Sequence, residues 1–294
     1  MLCTLLVVPP DALGQAASVS ALLDRGQQAG ANVELMRTVA DRADKAGLSP
    51  AATADLLQPA VDLAERDLPT APVLDKALEG LSKRVPPERM TPVLQQLRAR
   101  TEQAGQLVAA WVQRDDARAL IGTEDNIPEH SRAELIASIA DAQQQNVPPA
   151  AIETFLNELP ETTDRRPVPL SDVSVAVSIL PDLSSDGESA QAAHRVLVAA
   201  LNAGYDPEAM RQLPGAIEQA QRETQQPAAA IAKGAAQAIS WGTPADNVLR
   251  NLFRGAPPAG TPAQTGQGNQ GQGNSPENGP PDNPPGGGSG NGGG

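Results

Sequence analysis

The sequence predicts an all-α protein made of short helical hairpins, in a repeat-like or irregular bundle with a disordered C-terminal tail. The first observation is a pair of proline triplets with nearly equal internal spacing, 19 and 17 residues in one and 20 and 17 in the other: Pro50, Pro69 and Pro86, then Pro207, Pro227 and Pro244. Each triplet opens with Ala-Gly, one larger residue, Ser or Asp, and Pro. Glycine commonly ends a helix, Ser or Asp caps the next one, and proline fits its first turn.

The second observation is that apolar residues recur every three or four positions between these prolines, which is the spacing of one helix face. Residues that follow the prolines of the first triplet match residues that follow the prolines of the second. The offset is 156 residues after the first proline and 158 residues after the second and third. The matched positions after the three prolines of the first triplet are Leu57, Ala60, Val61, Ala64 and Arg66, then Val73, Ala77 and Leu81, then Met90 and Leu94. This pattern favours an internal duplication of stacked hairpins. The alternative is an irregular helical domain whose helices happen to be short.

The periodicity places helices in order along the chain. Helices are predicted from Val33 to near Gly47, around Leu56 to Ala64, around Val73 to Leu81, and from Glu88 towards Trp111, the last one interrupted at Gly105. Further helices are expected at about 131–144, 149–159, 188–203, 208–222, 228–240 and 245–253. The residues from Val173 to Ile179 alternate as in a strand. Because no partner strand is visible, we predict a helix there as well.

The chain divides by composition into four segments. Residues 1–17 resemble the end of a signal peptide, 18–160 and 161–254 form two helical halves, and 255–294 form a tail rich in Gly, Asn, Pro and Gln. The boundary between the halves is placed at 160–170, where three prolines cluster. The tail has almost no apolar side chain to bury, so we predict that it is disordered.

The N-terminus indicates export. Residues 2–8 are apolar and are followed by small residues at the spacing of a signal-peptidase site, although the usual basic start is missing. We therefore predict a truncated signal peptide and a periplasmic or extracellular location. Its removal would also remove Cys3, the only cysteine, which leaves no thiol chemistry in the mature chain. No stretch approaches the ~20 apolar residues of a transmembrane helix.

Charge and composition argue against nucleic acid as a partner. The formal net charge is −13, and aromatic residues make up only 2% of the chain. A phosphate backbone would be repelled, and few rings are present for base stacking.

Residues 76–89, which read KALEGLSKRVPPER, carry the one family resemblance. This segment resembles a stretch found in helical proteins exported by various bacteria, most of which are uncharacterised. The resemblance implies helices and export, and it implies no activity or functional residue.

The chemistry-bearing residues do not form a recognisable site in sequence. His130 and His194 are far apart and lack zinc-ligand spacing, so each is predicted to be a solvated or core histidine. Residues 182–188 match a calcium loop at positions 1, 3, 5 and 6, but Ala193 stands where the closing glutamate belongs. We therefore predict a helix-capping turn there. Trp111 and Trp241 are predicted to pack in or beside the core.

From these observations we predict no catalytic, cofactor-binding or metal-binding residue, and no cofactor. The leading hypothesis is a non-catalytic, exported helical scaffold or interaction protein, whose partner is a protein or another component of the cell envelope. The alternative is an envelope enzyme that uses carboxylates in a cleft between the two halves. That alternative requires two facing carboxylates with raised pKa values near 160–170.

Overall fold

The computed structural model describes residues 18–122, 127–162, 167–183 and 187–256 of the chain, with only the backbone described at 161, 162 and 187–189. These residues contain thirteen α-helices and no strand, so the all-α prediction is confirmed. The helices are α1 (Val19–Gln28), α2 (Val33–Lys45), α3 (Pro50–Ala64), α4 (Ala71–Ser82), α5 (Pro87–Val112), α6 (Asp115–Ile121), α7 (Glu129–Gln144), α8 (Pro149–Thr162), α9 (Leu170–Leu183), α10 (Gly187–Ala203), α11 (Pro207–Thr224), α12 (Ala228–Ser240) and α13 (Ala245–Phe253).

Local capping chemistry sets most helix boundaries. A short polar side chain accepts a first-turn backbone N–H at the start of α1, α2, α3 and α11, the capping residues being Ser18, Asn32, Ser49 and Asp206. Most helices end in a tight turn in which a residue with positive φ is followed by an N–H that donates to a carbonyl five residues earlier. Both devices satisfy backbone groups that the helix itself leaves unpaired.

The helices pack in two layers, because most helices contact the helix two places along the chain. One layer contains α1, α3, α5, α7, α9, α11 and α13 in that order. In the other layer, α2 packs on α4, and α6, α8, α10 and α12 follow one another. This order of contacts is typical of stacked helical hairpins, in which each hairpin buries its apolar face against its neighbours.

The core consists of two buried clusters that meet in α5. The first cluster runs from Leu22 to Leu97 and the second from Ala104 to Leu252, with Leu68 packing against both. Helices from the two sides of the predicted boundary at 160–170 pack on each other, since α9 lies against α7. The buried clusters therefore divide within α5 and do not follow the halves 18–160 and 161–254.

Gly105 does not interrupt α5, so that expectation was wrong. The helix continues through it to Val112, and the missing side chain leaves room for Leu68. A Cβ atom at Gly105 would clash with Leu68 Cδ2. This glycine serves the close approach of a side chain and does not mark a helix end.

Two helices, α1 and α6, were not predicted. The signal for α1 is present in the sequence, since Ser18 caps its first turn and Gly30 has the positive φ of its C-terminal turn. α6 is only seven residues long and its buried residues are Ala117, Leu120 and Ile121. So few residues show too little periodicity to indicate a helix by themselves.

Two predictions fall outside the described residues. These are the signal peptide at 1–17 and the tail from 257 onward. The first two residues assigned to the tail, Gly255 and Ala256, instead close α13, since the Ala256 N–H donates to the Asn251 carbonyl at 2.9 Å. Within the described ranges, none of the helices combines the length and apolar character needed to cross a bilayer.

Candidate functional site: two pairs of turns

Two places in the fold bring a pair of similar turns together. The first turn pair consists of residues 47–49, between α2 and α3, and residues 84–86, between α4 and α5. The second turn pair consists of residues 204–206, between α10 and α11, and residues 242–244, between α12 and α13. In each pair the helices that precede the turns, α2 with α4 and α10 with α12, pack on each other. The four turns share one backbone geometry, with positive φ at Gly47, Arg84, Gly204 and Gly242.

Tyr205 joins the two turns of the second pair. Its ring is 5% exposed, and its hydroxyl donates to the Thr243 carbonyl at 3.2 Å. Burial raises the pKa of Tyr205 to about 12, which keeps the hydroxyl protonated and able to donate over the whole working range of pH. This bond holds the turn that follows α12 against the turn that follows α10.

Trp241 stands on this rigid pair of turns and points into solvent. It is the C-cap residue of α12, its backbone N–H donates to the Gln237 carbonyl, and 63% of it is exposed. The prediction that Trp241 packs in or beside the core is therefore wrong. Trp111 behaves as predicted, since it is 3% exposed and its Nε1–H donates to the Leu156 carbonyl at 2.8 Å.

The two histidines occupy opposite environments, and both fit the prediction of a solvated or core residue. His130 lies in the first turn of α7 with its side chain 85% exposed, and its Nε2 is 3.0 Å from Glu134 Oε1. His194 in α10 is 6% exposed and its ring lies 5.7 Å from that of Phe155. Desolvation lowers the pKa of His194, and the negative charge of Glu158 partly opposes this shift.

The segment compared with a calcium loop is only partly described. Asp182 and Leu183 end α9 and α10 begins at Gly187, whereas residues 184–186 lie outside the described ranges. Among the residues whose positions are given, no three His, Cys, Asp or Glu side chains are grouped as a metal ion would require.

Carboxylates line two open pockets of the described structure. Asp182 and Glu218 line a pocket of about 360 Å³, and Glu218 accepts from Arg222 at 2.6 Å. Asp75, Glu79 and Asp141 line another of about 280 Å³ between α4 and α7. Hydrogen bonds from Lys76 and Lys83 lower the pKa of Glu79 to about 2, so this group stays ionised near neutral pH.

The cleft that the enzyme hypothesis requires was expected at 160–170. Residues 163–166 lie outside the described ranges. Beside them Val168 is buried, and its N–H donates to the Leu120 carbonyl at 2.7 Å, so this part of the segment is packed into the core. Elsewhere Arg114 lowers the pKa of Asp116 by a hydrogen bond. Lowered pKa values do not suit a general acid, and the enzyme hypothesis stays a prediction.

Comparison with known proteins adds no relative to this description, since no family model, curated protein or solved structure matches the chain.

Proposed function

We propose that this protein is a non-catalytic, exported helical scaffold that binds another protein of the cell envelope or the extracellular space through its second turn pair. The observation that carries the proposal is the exposure of Trp241 on a turn that Tyr205 holds in place. Tryptophan is among the residues most enriched at protein interfaces, because it buries a large area and loses little conformational freedom. A rigid mounting reduces the ordering cost of binding further.

The layered packing supports a scaffold that arose by duplication. The contacts of α2 with α4 and of α3 with α5 are matched by those of α10 with α12 and of α11 with α13. The same turn geometry recurs at the ends of the corresponding helices. An array of this kind offers an extended row of turns as a binding surface. If the two sets of helices are equivalent, a variant in which residues 84–86 and 242–244 are exchanged keeps the helical content of the wild type in circular dichroism. A loss of helical content argues against duplication.

The export component of the proposal agrees with the first described helix. Ser18 caps α1 with its own side chain, so a chain that begins at residue 18 retains every described helix. We expect the intact mass of protein recovered from the envelope or medium to correspond to a start near residue 18. Recovery only from the cytosol, with residues 1–17 still attached, contradicts export.

Site-directed photo-crosslinking tests the binding component. The full chain carries benzoylphenylalanine in place of Trp241, and a matched variant carries it in place of Phe253, which is 45% exposed at the C-terminal end of α13. We expect irradiation in the native envelope to give a discrete crosslinked species from position 241 and not from position 253. Crosslinks that are absent, or identical at both positions, contradict the assignment of the second turn pair as the binding surface.

A further inference from the structure

The first turn pair has the same backbone geometry as the second but different chemistry. It encloses an open pocket of about 580 Å³ with an apolar floor formed by Leu48, Leu81 and Val85. Three cationic side chains, those of Arg42, Lys45 and Arg84, stand around this floor, and no carboxylate lines the pocket. Such a concentration of positive charge is unexpected in a chain whose net charge is −13.

None of the three cations has a carboxylate partner among the described residues. By contrast, several basic residues of the segment that runs from α1 to α5 are in ion pairs, namely Arg25, Arg37, Arg66, Lys76, Lys83 and Arg98. Arg42, Lys45 and Arg84 are exposed, so they are available to a ligand. Their mutual repulsion favours the binding of an anion between them.

The simplest structural explanation of Arg42 and Lys45 is that cations stabilise the negative end of a helix. The second turn pair shows that the fold does not need them. α10 ends in the same turn without a basic residue in its last turn, and Ala199 and Asn202 occupy the positions that correspond to Arg42 and Lys45 when the two turns are aligned on Gly47 and Gly204. The charges are therefore a property of the first pair alone.

Arg84, like Arg42 and Lys45, differs from the residue at the corresponding position of the second turn pair. Its φ is 54°, in the left-handed region, where the corresponding residue of the second pair is Gly242. Glycine adopts this conformation without a steric penalty, whereas arginine does not. The turn therefore keeps an arginine at the rim of the pocket, in a left-handed conformation that other non-glycine residues also adopt at turns of this fold. α5 also begins here, and its N-cap residue Pro86 makes no side-chain capping bond to the first-turn N–H groups.

We propose that the first turn pair is a binding site for a phosphate group, carried on a small phosphorylated ligand or on a lipid headgroup. Two guanidinium groups and one ammonium group match the charge and the hydrogen-bond acceptors of phosphate, since arginine binds it in a bidentate manner. The apolar floor accommodates the carbon portion of the ligand. This site is separate from Trp241 and does not depend on the scaffold proposal.

Calorimetric titration of the full chain with pyrophosphate tests the site, at low ionic strength because salt screens exposed charges. The pocket variant combines Arg42→Gln, Lys45→Gln and Arg84→Gly, and the last change suits the left-handed turn. The control variant combines Arg118→Gln, Arg222→Gln and Arg250→Gln, which removes the same charge from exposed helix surfaces elsewhere. Parallel sedimentation with phosphatidylglycerol and phosphatidylcholine vesicles distinguishes the lipid source.

We expect the pocket variant to bind roughly tenfold more weakly than the wild type, on the basis of three exposed charge contacts. We expect the control variant to bind as the wild type does. Binding to phosphatidylglycerol vesicles alone, lost in the pocket variant, also supports the site and assigns the phosphate to a lipid. The proposal is overturned if the wild type binds neither pyrophosphate nor phosphatidylglycerol vesicles, or if the pocket variant and the control variant are weakened equally. If the pocket variant is less helical than the wild type, the single changes Arg42→Gln and Lys45→Gln are titrated instead, and each is expected to weaken binding.

Discussion

The two phenylalanines of this chain provide a direct test of where its stability resides. Phe155 in α8 is fully buried in the larger core cluster, beside the ring of His194. Phe253 at the end of α13 is 45% exposed, while its neighbour Leu252 is fully buried. The same change to alanine therefore removes the same atoms from two different environments.

Phe155→Ala should lower the free energy of unfolding by about 3–5 kcal/mol, because it removes buried apolar area and leaves a cavity. Phe253→Ala leaves no closed cavity and removes only partly buried area, so it should cost about 1 kcal/mol, roughly half of what full burial of such a side chain contributes. The difference of about 2–4 kcal/mol corresponds to a factor of at least ~30 in the equilibrium constant for unfolding.

Urea denaturation followed by far-ultraviolet circular dichroism measures both values, with the slope of each transition checked for equal cooperativity. Equal losses for the two variants, or a loss below about 1.5 kcal/mol for Phe155→Ala, would show that α8 is not packed as described. Because stacked hairpins unfold in segments when cooperativity is low, a broadened transition in Phe155→Ala alone would still locate the effect in the larger cluster.

Three further pairs of substitutions test individual features of the fold. Because the pKa of buried His194 is lowered below its ordinary value of 6.5, the unfolded chain binds more protons than the folded chain as the pH falls through 6.5, and the melting temperature of the wild type should fall between pH 7 and pH 5. This decline should be weaker in His194→Leu than in the control variant His130→Leu, which removes an exposed histidine. Equal behaviour of the two variants would refute the burial argument. Arg84→Gly should raise the free energy of unfolding by about 0.5–1 kcal/mol in urea denaturation, and Gly242→Arg should lower it by about 1–2 kcal/mol, because only glycine adopts the left-handed turn without strain. A lower free energy of unfolding in Arg84→Gly would contradict the strain at that turn. Gly105→Ala should lower the free energy of unfolding by about 1 kcal/mol because the added Cβ meets Leu68. In a Leu68→Ala background the same change should raise the free energy of unfolding by about 0.5–1 kcal/mol, because alanine has the higher helix propensity. If Gly105→Ala lowers the free energy of unfolding in both backgrounds, the contact with Leu68 is excluded.

Local sequence alone determined the class of fold and most of the helix boundaries. Glycine with positive φ, Ser or Asp as a cap and proline in the first turn act through hydrogen bonds within a few residues, so they can be recognised without knowing the neighbours. α11, which has an Asp cap and a first-turn proline, was predicted to within two residues at each end. α12 and α13, which each begin directly after a proline and end before a glycine with positive φ, were predicted to the residue. Residue spacing also shows that the sequence contains no metal-ligand or nucleophile motif. Spacing cannot reveal a site that is assembled from residues far apart in the sequence.

The tertiary structure decided the features that depend on which helices meet. α9 packs against α7, α10 and α11, so residues on several of its faces are buried. Val173, Val177 and Ile179 are therefore all buried in a helix although their spacing alternates as in a strand. The lack of a side chain at Gly105, within α5, is explained by Leu68, which approaches it from the turn between α3 and α4. The exposure of Trp241 and the meeting of Arg42, Lys45 and Arg84 at one pocket likewise depend on the pairing of helices that are far apart in sequence. Neither local propensity nor periodicity encodes such pairings, because each results from the burial of one helix face against another.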